Sequence, residues 1–311
     1  MNKKRKNNKV LVTGATGFVG SHLCEGLLGR GFEVIGLIYG NDINIRHLKN
    51  NKNFKAVKGD ITNFREILDI LKKYKPDGIF HVAAAVPASE TKEDSPFLFF
   101  EVNTKGTFNL LEACRQTNIR KFVYSSSMSV YSKEIKQLPV SEENFIDPRD
   151  FYGLSKWQGE ELVRIYAENY KSNAVILRYA GVYGPRKEEG AVATFMKNAL
   201  KNKTINILSD ISWDIVYVED VVQANILAFE KLEKLGFAVI NIGSGREIHV
   251  KDLAEKIISI TKSHSKIKIN KIKDSFRFYF KINKAQKLLG FKPVSLEKGL
   301  FLTVQWFKKQ I

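Results

Sequence analysis

Apolar residues along the chain alternate between short continuous runs and stretches with helical spacing. Lys9–Thr13 is a brief apolar run followed by a glycine-punctuated turn. Phe18–Arg30 then places Val19, Leu23, Leu27 and Leu28 on one stripe, with Gly31 as a stop. Glu33–Ile38 predicts a second buried strand, Lys55–Lys58 a third, and Ile61–Lys73 a helix. Gly78–Ala83 predicts a strand, Phe97–Asn118 one long helix, Lys121–Ser126 a strand, Gly153–Tyr170 a helix and Ala174–Arg178 a strand. This alternation predicts an α/β architecture, a doubly wound parallel sheet with helices on both faces. Beyond residue 180 the rhythm loosens, with helices expected at Asp220–Leu235 and Val250–Lys262. The division expected is a basic tail over residues 1–9, a dinucleotide-binding domain over 10–180 and a smaller α/β C-terminal lobe over 181–311. That lobe is expected to bind substrate and to return some segments to the first domain.

Composition narrows the class. Of 311 residues, 44% are apolar and 27% charged, which is globular and excludes collagen-like or disordered chains. Cys24 and Cys114 lie in helical patterns without metal-ligand spacing, so neither a disulfide scaffold nor a metal site is expected. No apolar run is long enough for a membrane span and no signal peptide is evident, so the expectation is a soluble cytoplasmic protein without a membrane partner. The net charge is +17. Residues 262–292 concentrate it, with ten lysine or arginine residues against Asp274 alone. A block of this kind suits an anionic ligand, nucleic acid, or merely a solvated lysine-rich face.

The turn Thr13-Gly14-Ala15-Thr16-Gly17-Phe18-Val19-Gly20 joins the first strand to the first helix. Its GxxGxxG spacing allows a tight turn and close backbone approach, and the helix N-terminus receives a pyrophosphate. An acid at the end of the second strand would select NAD over NADP. Here Ile38-Tyr39-Gly40-Asn41 offers none before Asp42, so both cofactors stay open. Tyr152 and Lys156 are one helical turn apart, about 25 residues after Ser125-Ser126-Ser127 at a strand end. Such a phenol, ammonium and hydroxyl converge over the cofactor. A lysine charge about 5 Å away stabilises a phenolate by roughly 3 kcal/mol, or about two pKa units. Tyr152 then takes a proton from a sugar or alcohol hydroxyl while hydride leaves carbon, and Ser127 holds the same oxygen.

These segments resemble the extended short-chain dehydrogenases, the NAD-dependent epimerases and dehydratases of nucleotide sugars that share the Rossmann fold. TGATGFVG at 13–20, GDIT at 59–62, HVAAA at 81–85, FVYSSSMSVY at 122–131, YGLSK at 152–156 and LRYAGVYGPR at 177–186 carry the likeness. The resemblance implies that Gly14, Gly17 and Gly20 hold the pyrophosphate, with Phe18 and Val19 at its backbone approach. It puts Asp60 and Ile61 beside the adenine, and Ala83, Ala84 and Asn103 along the cofactor cleft. Lys156 would also bond the nicotinamide ribose, and Tyr179 would border the nicotinamide. Substrate contacts are expected from Ser127, Met128, Gly181, Trp213 and Arg277, the last gripping a diphosphate. Two departures stand out: Trp213 occupies a usual arginine position and Gly181 a usual asparagine position. The segment Ser127–Tyr131 lacks the Asp-Glu pair of the dehydratases, which disfavours water elimination.

The leading expectation is therefore a nucleotide-sugar epimerase acting at C4 through a transient ketone with NAD or NADP. An NADPH-dependent reductase of a keto sugar is the alternative, and a non-catalytic nucleotide sensor or RNA-binding protein a third. No nucleic-acid partner is expected under the first two. By family analogy the chain would form a homodimer through the helices around Phe97–Asn118 and Gly153–Tyr170.

Overall fold

A computed structural model describes residues 8–87, 95–132, 135, 137–270 and 275–310. Most of the basic tail, and Lys271, Lys273 and Asp274 of the basic block, lie outside them. In chain order the strands are β1 (Lys9–Thr13), β2 (Glu33–Ile38), β3 (Phe54–Lys58), β4 (Gly78–His81), β5 (Lys121–Ser127), β6 (Asn173–Tyr179) and β7 (Gly181–Tyr183). They continue with β8 (Ile205–Ile207), β9 (Asp210–Tyr217), β10 (Phe237–Ile242), β11 (Glu247–His249), β12 (Ile267–Ile269) and β13 (Ser275–Phe278). The helices are α1 (Phe18–Gly29), α2 (Phe64–Tyr74), α3 (Pro96–Phe99), α4 (Gly106–Gln116), α5 (Phe151–Tyr170) and α6 (Ala191–Leu200). After them come α7 (Val218–Glu230), α8 (Leu232–Leu235), α9 (Val250–Thr261), α10 (Asn283–Leu289) and α11 (Leu296–Lys308).

Seven parallel strands form the main sheet in the order β10-β6-β5-β4-β1-β2-β3. The doubly wound arrangement expected from the alternation is present. Near-continuous apolar runs such as Val10-Leu11-Val12 suit strands covered on both faces. One face packs on α1 and α7 through Leu23, Leu27, Val222 and Ile226, the other on α2, α4 and α5 through Ile67, Leu110 and Val163. A separate core around Met196, Ile215, Leu253 and Val304 holds the second lobe, where β7, β11 and β13 all pair with β9.

Three boundaries differ from the sequence reading. The helix expected over Phe97–Asn118 is divided by a π-helical stretch, Phe100–Lys105. Asn63 accepts the Glu66 N–H and starts α2 three residues later than predicted. The helix predicted over Asp220–Leu235 begins at Val218 and is divided at Lys231 between α7 and α8. The aromatic alternation at 276–280 is absorbed by packing, because Phe278 and Phe280 are buried against Tyr131. Among the described basic residues of that block, all but the half-buried Lys284 are exposed, whereas Phe278 and Phe280 are buried and cannot serve as an exposed stacking surface.

Asp214 joins the two lobes. It is fully buried on β9 and accepts the Ser244 N–H (2.7 Å) and hydroxyl (2.6 Å), together with the Gly245 (3.1 Å) and Phe280 (3.3 Å) N–H groups. Burial nonetheless raises its pKa to about 6, against the pull of those four donors. Both carboxylate oxygens serve only donors, so an amide would turn an N–H₂ toward two further N–H groups. Asp214→Asn should therefore destabilise the fold by about 2–3 kcal/mol, read from urea midpoints. An unchanged midpoint would show that the carboxylate does not secure this junction.

Candidate active site

A cleft of about 430 Å³ opens at the carboxyl ends of β1, β4, β5 and β6. Ligands enter doubly wound sheets at this end because helix N-termini and loops converge there. On one wall, Gly14 adopts φ +67°, and a Cβ there would lie 2.8 Å from the Ala83 backbone. Only glycine lets the β1 turn approach the segment after β4 so closely. Gly17 then starts α1 with no side-chain cap and no acid in the first turn. Those first-turn N–H groups lack intrahelical partners and face an anion readily. Gly14, Gly17, Phe18, Val19, Gly20, Ala83 and Ala84 all line the cleft, so these residues fit a dinucleotide pyrophosphate.

Beneath this wall runs a buried relay. Thr13 Oγ1 accepts the Val82 and Ala83 N–H groups (both 3.1 Å) and donates to His81 Nδ1 at 2.8 Å. His81 Nε2–H reaches Thr107 Oγ1 (3.0 Å), which donates to the Asn103 carbonyl (2.5 Å). Burial, with the Lys156 charge adding to it, drives the His81 pKa down to about 3, so the ring is neutral. Asn103 is not on the cleft surface. Its amide instead pairs with both backbone groups of Ala85 (2.8 and 2.9 Å) and with Ser155 Oγ (3.0 Å), holding the cleft loop to α5. Asp60 accepts the Thr62 N–H at the end of β3, and Ile61 is buried under Gly106 of α4. Both lie outside the lining of this cleft.

The opposite wall carries the residues expected to do acid–base chemistry. Asp150 caps α5 by accepting the Gly153 N–H at 2.7 Å. A Cβ on Gly153 would collide at 2.2 Å with the Ser129 carbonyl, so this glycine lets α5 seat against the β5 end. Tyr152 and Lys156 project into the cleft beside Ser125, Ser126 and Ser127, with Tyr179 alongside. The Ser127 hydroxyl accepts the Ser129 N–H (3.1 Å) and interacts with the Tyr152 phenol. Met128 continues this turn, half-buried. Tyr179 is fixed from behind by Ser125 (2.9 Å) and the Asn225 amide (2.8 Å).

Burial, rather than the lysine charge, dominates the acid–base balance. Tyr152 is held above its ordinary pKa by desolvation, with Ser127 pulling it down and Asp150 pushing it up. Lys156 is brought down to about 7 by desolvation, while Glu160 one turn on pushes it up. Its ammonium also lies 4.3 Å from the centre of the Tyr124 ring. The lysine's full charge, assumed in the sequence argument, is thus only partly expressed at neutral pH. Glu160 is part of a buried network that the sequence did not disclose. Arg178 pairs with it at 2.6–3.1 Å, Ser126 donates to it, and Arg178 also donates to Tyr131 at 2.7 Å.

The expected substrate residues fall in two places. Gly181 and Trp213 adjoin, since a Cβ at Gly181 would sit 3.2 Å from the indole Nε1. The two departures are therefore coupled: the indole occupies space that a longer side chain at 181 would need. Arg277 is an exposed side chain on β13 and forms a two-pronged ion pair with Glu247 at 2.5 and 2.6 Å. The diphosphate role expected of it competes with a partner already in place. A second cavity, about 470 Å³, lies in the second lobe among Tyr183, Tyr217, Arg246, Asp252 and Glu297. Being larger does not make it the reaction site, since none of Ser127, Tyr152 and Lys156 lines it.

Known proteins share this chain's sequence pattern and fold. A model of the NAD dependent epimerase/dehydratase family matches residues 10–243. The UDP-glucose 4-epimerase of Mycolicibacterium smegmatis is 33% identical over 315 residues, covering 97% of this chain and 99% of its own length. The Thermotoga maritima UDP-glucose 4-epimerase, solved with UDP-glucose, superimposes with a TM-score of 0.88 at 31% identity over 97% of this chain and 99% of that one. The Bacillus cereus UDP-glucuronic acid 4-epimerase, solved with UDP-glucuronic acid and NAD, gives 0.88 and 31% over 97% and 100%. With the glycine turn, the Tyr152/Lys156 pair and the full-length match in agreement, this chain belongs to the NAD dependent epimerase/dehydratase family.

Proposed function

We propose that the protein inverts C4 of a UDP-linked sugar, using NAD held in the cleft between the glycine turn and α5. The observation that carries this reading is the convergence of Ser127, Tyr152 and Lys156 on one wall of that cleft, opposite the uncapped α1 N-terminus. The UDP-sugar epimerases described above support the substrate class, and the NAD in the Bacillus cereus complex supports the cofactor. When bound, NAD supplies a nicotinamide that accepts a hydride and later returns it. Gly14, Gly17 and Gly20 hold its pyrophosphate side, and Lys156 and Tyr179 its nicotinamide side. Tyr152 takes the proton of the 4-hydroxyl, Ser127 orients that oxygen, and Tyr152 returns the proton after the sugar has presented its other face.

No helix among the described residues is long and apolar enough to cross a membrane. Phe97, Leu98, Phe108, Phe151 and Ile165 expose large apolar side chains on α3, α4 and α5. Phe100 packs on Phe151 and Phe108 on Tyr166, making these helices one surface. We read it as the face of a homodimer, in line with the family resemblance. Phe97→Asp should shift the sedimentation mass from two chains to one, whereas an unchanged dimer would exclude this face.

Tyr152→Phe should lower turnover by roughly 10² or more and leave the fold intact, since it removes only the proton acceptor. Denaturing that variant should still release NAD. Near-normal turnover would sink the assignment of the base, and release of NADP instead would favour the reductase reading.

Lys156 gives a pH test. Its folded pKa of about 7 lies below its ordinary 10.5, so between these values the unfolded chain binds the proton more readily. Stability from this group therefore rises with pH across that window and is flat below it. In dinucleotide-free protein, Lys156→Met should raise stability at pH 7 by about 2–5 kcal/mol while abolishing turnover. The gain should shrink as pH approaches 10, and a pH-independent difference in urea midpoints would contradict the buried titration.

A further inference from the structure

Lys187 is the residue of the cleft that neither the sequence patterns nor the reaction chemistry explains. It follows β7 in a turn closed by its own N–H to the Gly184 carbonyl at 3.2 Å. This turn is clamped to α1 from two sides. His22 Nε2 meets the Pro185 carbonyl at 3.0 Å, and Arg186 takes the left-handed conformation at φ +70°. From there Arg186 reaches Glu25 (2.7 and 2.8 Å) and Ser21 Oγ (2.8 Å) on α1. The clamp leaves the next side chain directed at the cleft. Lys187 Nζ lies 5.7 Å from the centre of the Phe18 ring, at the first residue of α1, and Lys187 lines the same cavity as Gly14, Gly17 and Gly20.

Charge balance gives this placement a purpose. A dinucleotide pyrophosphate carries two negative charges, and a helix N-terminus answers with only about half a positive charge. Among the described residues lining the cleft, Lys156 and Lys187 are the only cations, and Lys156 stands beside Tyr152 at the chemistry. Lys187 is mostly buried, which lowers its pKa, and Glu189 opposes this from a distance without forming an ion pair among the described residues. Holding an ammonium out of water is unfavourable unless an anion meets it.

We propose that Lys187 is a cofactor-binding residue whose ammonium contacts the dinucleotide pyrophosphate from the side opposite the α1 amides. This rests on the reading that the cleft takes NAD. A diphosphate also occurs in a nucleotide-sugar substrate, but the contact with Phe18 places this cation at the glycine turn.

The test titrates NAD, ADP-ribose, adenosine and UDP against dinucleotide-free wild type, Lys187→Gln and Lys187→Arg, with thermal melting to confirm that each is folded. Lys187→Gln should weaken NAD and ADP-ribose alike, by about tenfold to a hundredfold. Adenosine and UDP should bind as in wild type, and Lys187→Arg should restore most of the NAD affinity. Added salt should weaken NAD binding less in the glutamine variant than in wild type. Equal NAD affinity in wild type and Lys187→Gln would overturn the proposal, as would a loss confined to UDP. If folded wild type bound neither NAD nor ADP-ribose, the dinucleotide reading itself would fall and this proposal with it. That outcome differs visibly from wild-type binding that is merely insensitive to Lys187.

Discussion

The Arg178–Glu160 pair fixes α5, which carries Tyr152 and Lys156, to the sheet. Both side chains are almost wholly buried, at 6% and 3% exposure, where separating either from its partner would leave a stranded charge. The pair ties α5 to β6, and Ser126 and Tyr131 extend the connection to β5 and the turn beyond it. Tyr131 then donates to Asn241 on β10, so three neighbouring strands share one polar network. Tyr152 stands two turns and Lys156 one turn ahead of Glu160 on the same helix. A rotation of α5 would move all three, and the buried ion pair resists it.

The same dryness that strengthens this pair sets the character of the cleft. Lys156 is pressed toward neutrality and Tyr152 away from ionisation, both by loss of water. Glu160 opposes the first effect and Ser127 the second. The protein's own groups thus favour the neutral Tyr152 phenol, and a further positive charge near Tyr152 would have a large effect in so poorly screened a site. In the proposed reaction, proton abstraction by Tyr152 would then depend on the cleft being occupied.

Much of this architecture was legible in the chain because it rests on local rules. Buried strands followed by amphipathic helices dictate a parallel sheet, and Gly14 marks a turn that a side chain would block. The long helix at 97–118 looked continuous because its apolar spacing is helical throughout. Within its π turn, Asn103 and Thr104 bond to distant Ser155 and Gln158, contacts that no local period encodes. Arg277 carried the right charge in the right neighbourhood, yet its partner Glu247 comes from another strand, 30 residues earlier. Lys187 lies in a loop without periodicity and was invisible for that reason. The pairing of Gly181 with Trp213 needed the contact between β7 and β9 before two separate departures became one.

The two rims of the main sheet end differently. At β10, Glu142 accepts the Asn241 N–H at 2.8 Å, and Lys231 binds the final carbonyls of α10, which packs beside that strand. At β3 the chain instead sets Lys55 and Lys58 outward, exposed at the open margin of an otherwise apolar sheet. An uncovered strand margin is a template for another chain's backbone, and lysines there make such stacking unfavourable. With a net charge of +17 over the whole molecule, two copies meeting rim to rim would face both local and long-range repulsion. Lysines at the β3 margin thus disfavour edge-to-edge stacking, and the proposed association of two copies uses the exposed apolar side chains of α3, α4 and α5 instead.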